Sequence, residues 1–87
     1  MITATYTKHF QKTFKKKDKV IQKEVLEKIR IFRQEPFHVS LKNHKLHGEY
    51  AGYNSINVTG DFRAIFKYLD EDAVVFSYLG THSELYE

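Results

Sequence analysis

The sequence contains no cysteine, which excludes a disulfide framework, a thiolate metal site and a cysteine nucleophile. A reducing compartment is thereby permitted, and the cytoplasm is the expected location. No apolar run approaches the roughly 18 residues that a membrane span needs. The N-terminal Met1-Ile2-Thr3-Ala4-Thr5 also lacks the basic-then-apolar pattern of a secretory signal. Neither membrane insertion nor secretion is expected. No repeat, linker or low-complexity segment interrupts the 87 residues, so a single domain over 1–87 is expected. That length lies near the lower size at which one apolar core holds without disulfides or metals.

What is abundant is aromatic and basic. Seven Phe and six Tyr mean that rings must fill much of the core. The net charge of +3 hides an asymmetry: residues 1–45 carry 12 Lys or Arg against 4 Asp or Glu, whereas residues 46–87 carry 2 against 7. A basic face of this density favours a polyanion, because each neutralised phosphate releases condensed counterions. Lysine-rich helix surfaces also serve plain solubility, and charge alone does not separate the two.

Hydrophobic periodicity divides the chain. Ile2, Ala4 and Tyr6 alternate with Thr3 and Thr5, which predicts a short strand. From Thr7, a suitable N-cap, Tyr6, Phe10 and Phe14 recur every four residues, with Lys8, Lys12, Lys15, Lys16 and Lys17 outward. Asp18 suits the cap of a second helix in which Ile21, Val25, Ile29 and Phe32 form a stripe flanked by Leu26, and Pro36 stops it. The period then changes to two. Gly52–Val58 and Asp61–Tyr68 flank a Thr59-Gly60 turn and read as a hairpin. Asp70-Glu71-Asp72 turns the chain again into Ala73–Leu79, apolar enough for a central strand. The expected architecture is therefore α+β and two-layered, with an N-terminal strand, a helical hairpin and an antiparallel three-stranded meander. Thr81 and Glu84 have capping-box spacing for one further helical turn.

Five histidines, at positions 9, 38, 44, 47 and 82, are many for this length, and histidine is the usual proton carrier at neutral pH. His44-Lys45-Leu46-His47-Gly48 precedes the hairpin and suits phosphate contact or proton transfer. His44 and His47 lack a third ligand at metal spacing, so zinc is not expected. His82 follows Gly80-Thr81 at the end of the last strand, where a side chain can be held rigidly beside a cleft. His9 reads as helix surface and His38 as loop. Asp61 and Arg63, two apart on one predicted strand, should share a face with Ile65 and Lys67, as a carboxylate and a phosphate clamp. The plainer reading is a turn Asp paired with a surface Arg. Tyr86 and Phe62 can stack on a base or belong to the core.

The stretches Leu41–Tyr53, Gly60–Phe66 and Gly80–Tyr86 together resemble the YafQ-like branch of the RelE/ParE toxin superfamily, closely in the C-terminal half and in pattern only over the helices. The resemblance implies a RelE-like fold and a toxin of a type II toxin-antitoxin pair. It implies an endoribonuclease, an mRNA interferase, that cuts mRNA in the ribosomal decoding site and leaves a 2′,3′-cyclic phosphate or its 3′-phosphate hydrolysis product. No metal or cofactor is implied. His44, Asp61 and His82 would form the proton-transfer set, and Arg63 would bind phosphate. Phe62 and Tyr86 would orient substrate, with His47, Lys45 and Asn57 as further contacts. The implied partners are a cognate antitoxin, mRNA and the ribosome, with the free toxin monomeric. Asn57 stands where relatives commonly have His, and Tyr78 where they have Arg. Two rival readings are a noncatalytic ParE-like gyrase-binding toxin and an RNA-binding relative without catalysis.

Overall fold

The computed structural model describes residues 1–86 as one folded unit. In chain order it contains β1 (Thr3–Tyr6), α1 (Lys8–Lys16), α2 (Lys19–Gln34), β2 (His44–Lys45), β3 (Asn54–Asn57), β4 (Phe62–Asp70), β5 (Ala73–Thr81) and α3 (His82–Tyr86). Both predicted caps form. The Thr7 hydroxyl accepts the Phe10 N–H, and the Asp18 carboxylate accepts the Ile21 N–H, each satisfying a donor that the first helical turn leaves orphaned. Helix α2 ends at Gln34, two residues before Pro36.

The strands build one mixed sheet in the order β1-β5-β4-β3-β2. The expected meander is its centre, with β3, β4 and β5 antiparallel, and β5 is central as its apolar run predicts. Two pairings extend the expectation. The strand β1 lies parallel to β5, and the two-residue β2 joins the far edge against β3.

One face of the sheet carries the core. Phe66 and Phe76 pack their rings 5.2 Å apart, and Phe32 of α2 meets them at 4.7 and 5.6 Å. Phe10, Val25, Ile29, Ile56, Val58, Ala64, Val74 and Leu79 complete it. Leu26, expected beside this stripe, is instead 59% exposed, because the stripe reaching the sheet is narrow and Leu26 stands one position off Val25.

The second face is not bare. Ile65 lies between Ala64 and Phe66 and so projects away from the helices, as strand alternation requires, yet it is fully buried. Tyr50, Tyr53 and Tyr78 cluster on that side with ring separations of 5.5 to 6.3 Å. A bulge in β5 makes this possible. Ile65 pairs with Tyr78 and Phe66 with Phe76, leaving Ser77 as an extra residue. The phase of β5 flips there, so Tyr78 leaves the core face and Leu79 takes it.

Leu41 closes the core from the segment between α2 and β2. It sits in a 3-10 turn, Val39–Leu41, and is fully buried. Leu41→Ala is expected to cost about 2–5 kcal/mol, the range for emptying such a site. Urea unfolding checks this, and wild-type stability would contradict it.

Candidate functional site

An open cleft of about 540 Å³ lies where β2, β3 and β4 meet the start of α3. Its walls are Lys42, His44, Lys45, Leu46 and His47 from one side, Asn57 and Arg63 from the sheet, and His82 and Tyr86 from α3. Among the described residues no carboxylate lines it. Lys42, Lys45 and Arg63 make the site cationic, and an anion entering the cleft meets no like charge among the described residues of its walls.

The segment carrying His44 is fixed by the residues just before it. Leu41 anchors it in the core, and the Asn43 side chain donates to the Pro36 carbonyl and accepts from the Asn54 amide. Between them Lys42 takes a left-handed conformation, φ 48°, which is costly for a residue with a Cβ. That turn aims the Lys42 carbonyl at His44, whose Nδ1 lies 2.8 Å away. A carbonyl can only accept, so Nδ1 carries the proton. In the neutral ring the lone pair then sits on Nε2.

Arg63 reaches the cleft from β4, where its register partners are Asn57 and Gly80. Its Nη1 donates to the carbonyls of Gly60 and Phe62, both at 3.1 Å. One corner of the guanidinium is thereby pinned to the hairpin turn while the others remain available.

His82 is the first residue of α3. Its N–H donates to the Asp61 carbonyl at 3.0 Å, and its ring lies 4.7 Å from that of Tyr86, one helical turn on. The predicted capping box forms: Thr81 N–H donates to Glu84 Oε1 at 2.8 Å, and Glu84 N–H to Thr81 Oγ1 at 3.3 Å. Gly80 makes room for it, since a Cβ there would stand 3.0 Å from Glu84 Oε1 and 3.3 Å from Glu84 Cβ.

The Thr81 N–H, and then Lys17 at 4.0 Å, hold the Glu84 carboxyl below the usual glutamate range. A depressed folded-state value stabilises the box above that range and is lost as pH falls through it. Helix α3 should therefore loosen in acid before the sheet does. Amide relaxation along a pH titration checks this, and an α3 that stays ordered until global unfolding would contradict it.

Burial, and then Tyr78, Tyr86 and Glu49, push the Tyr50 phenol up. It stays protonated through the neutral range and donates to the Leu85 carbonyl at 3.0 Å.

Of the residues singled out from sequence, the cleft gathers His44, Lys45, His47, Asn57, Arg63, His82 and Tyr86. Asp61 and Phe62 are corrections. Val58 N–H bonds the Phe62 carbonyl and Phe62 N–H the Thr59 carbonyl, so the hairpin loop has three residues, Thr59–Asp61, rather than the expected Thr59-Gly60. Asp61 is therefore in the turn and not on the strand, its side chain does not line the cleft, and among the described residues it forms no ion pair with Arg63. Phe62 neighbours Arg63 on the strand and so points to the opposite face, where it packs against the core with Lys17 Nζ 5.5 Å above its ring. His38 caps the 3-10 turn by accepting the Ser40 N–H, and His9 is exposed beside Tyr78. The cleft also takes in Lys42, two residues before His44, and Leu46, between Lys45 and His47, neither of which stands out by type as a site residue. Among the described residues no three His, Asp or Glu side chains converge as a metal site.

A second, apolar depression of about 280 Å³ runs between α1 and α2 and is lined by Phe10, Phe14 and Leu26. Among the described residues no imidazole or carboxylate lines it.

Residues 2–87 match the family model described as the bacterial toxin of type II toxin-antitoxin system, YafQ. The fold superposes on the crystal structure of YafQ from E. coli strain BL21(DE3) with a TM-score of 0.76 at 21% identity, covering 100% of both chains. A chain of the E. coli DinJ-YafQ complex aligns at 26% identity and a TM-score of 0.68, again over 100% of both. The YoeB/ParE toxin from Agrobacterium tumefaciens aligns at 19% identity and 0.76, covering 93% of this chain and 99% of that one. No curated protein matches the sequence.

Proposed function

The chain belongs to the YafQ family of toxins of type II toxin-antitoxin systems, and from that premise we propose that it is an endoribonuclease that cuts mRNA on the ribosome without a metal. The observation that carries this reading is the meeting of His44, Arg63 and His82 on one cleft that Lys42 and Lys45 also line.

RNA cleavage by internal transfer needs three things: a base for the 2′-OH proton, an acid for the leaving oxygen and a cation for the phosphorane. His44 is the base. With Nδ1–H committed to the Lys42 carbonyl, its Nε2 takes the 2′-OH proton as the 2′ oxygen attacks phosphorus. The P–O5′ bond breaks, and His82 protonates the departing 5′ oxygen. The products are a 2′,3′-cyclic phosphate and a 5′-OH. Arg63 binds the nonbridging oxygens with the guanidinium donors left free by Gly60 and Phe62. Lys42, Lys45 and His47 hold flanking phosphates, Asn57 supplies a hydrogen bond, and Tyr86 stacks on a base beside His82. Every proton is carried by a side chain, so the reaction has no step that calls for a metal.

The lysines of α1 and α2 add basic surface on the helical layer and suit ribosomal RNA. A toxin that acts on ribosomes works in the cytoplasm. The E. coli complex of DinJ with YafQ supports a cognate antitoxin as partner, with the free toxin monomeric.

Purified protein incubated with mRNA, with and without translating ribosomes, tests the reading. Cleavage that depends on ribosomes is expected, together with translation arrest on expression in cells. Intact mRNA with induction of the DNA-damage response would point instead to gyrase binding.

A further inference from the structure

The cleft depends on a helix that cannot hold itself in place. Helix α3 has five residues, none of them buried, and a single isolated turn does not persist in water because its nucleation outweighs its few hydrogen bonds. Yet it supplies both His82 and Tyr86 to the cleft. Its position must come from tethers. The capping box and Lys17 act at its start, on Glu84. At its other end the last carbonyls of a helix have no intrahelical donor, and there the Tyr50 hydroxyl reaches across 35 residues of chain to the Leu85 carbonyl at 3.0 Å.

Tyr50 is well placed to act as a clamp. Its ring meets Tyr86 edge-on at 5.7 Å and Tyr78 at 5.5 Å, so a rigid wall over the sheet backs the hydroxyl. Tyr50 does not itself line the cleft.

We infer that Tyr50 is a positioning residue: by bonding the Leu85 carbonyl and bracing the Tyr86 ring, it sets the orientation of α3 and thereby of the His82 imidazole. This rests on the nuclease reading for its kinetic consequence but not for its structural one. The link runs from the 3-10 turn Gly48–Tyr50 to α3, so the loop that follows His47 and the helix that carries His82 are held as one unit.

The test compares Tyr50→Phe with Tyr53→Phe. Both keep a ring in the cluster, but only the first removes a hydroxyl bonded to α3. Tyr50→Phe should lower kcat about 10-fold with KM within about twofold, since a displaced proton donor harms the reaction more than RNA binding. Tyr53→Phe should behave as wild type. The nuclear Overhauser contact between the His82 and Tyr86 rings should weaken in Tyr50→Phe alone. Wild-type kcat with that contact intact in Tyr50→Phe, or an equal loss in Tyr53→Phe, would overturn the inference. If wild-type protein cuts no RNA, the nuclease reading falls, and the ring contact alone still decides whether Tyr50 positions α3.

Discussion

Replacing His82 with alanine is expected to slow RNA cleavage by about 10²- to 10⁴-fold, the span that a positioned general acid contributes. The side chain is exposed and its backbone N–H, which bonds the Asp61 carbonyl, survives the change. The melting temperature should therefore stay close to wild type. RNA affinity should change little, because Lys42, Lys45 and Arg63 still line the cleft. A loss confined to kcat is the pattern of a group that acts only in the transition state. Single-turnover cleavage with circular dichroism melts checks both halves, and undiminished cleavage would remove His82 from the chemistry.

Arg63→Gln is expected to lower kcat by about 10²- to 10³-fold, the effect of removing a preorganised donor from a developing anion. Its Nη1 bonds to Gly60 and Phe62 make the guanidinium rigid before substrate arrives, so orientation costs little during the reaction. Losing them should cost about 1 kcal/mol of stability as well. Arg63→Lys separates charge from geometry. The ammonium restores the charge but not the planar fork, so only partial recovery of rate is expected. Full recovery would show that Arg63 contributes electrostatics alone, and no loss in Arg63→Gln would take it out of the site.

Much of this arrangement was legible in the sequence because it depends on local rules. The Thr7 and Asp18 caps, the Thr81–Glu84 box, the stripe Val25–Ile29–Phe32 and the stop before Pro36 each follow from residues within a turn or two. Most of the cleft was legible as well, since His44, His47, Arg63 and His82 stand out by type.

The misses share a cause, which is that one residue of register decides which way a strand side chain points. Counting Asp61 into the strand placed its carboxylate with Arg63, whereas the three-residue loop removes it. Phe62 then turns its ring to the core. The Ser77 bulge is equally silent in the sequence, yet without it Tyr78 would face the helices and the tyrosine wall would not form. Long-range links are silent too. Nothing near Tyr50 announces its bond to Leu85, and nothing near Lys42 announces its left-handed turn.

The most direct measurement is the chemistry of the cut ends. Purified toxin is incubated with mRNA and translating ribosomes, and the isolated fragments are mapped for their termini. A 2′,3′-cyclic phosphate, or the 3′-phosphate derived from it, opposite a 5′-OH is the predicted result. Fragments with a 3′-OH and a 5′-phosphate would contradict a site built on His44, Arg63 and His82.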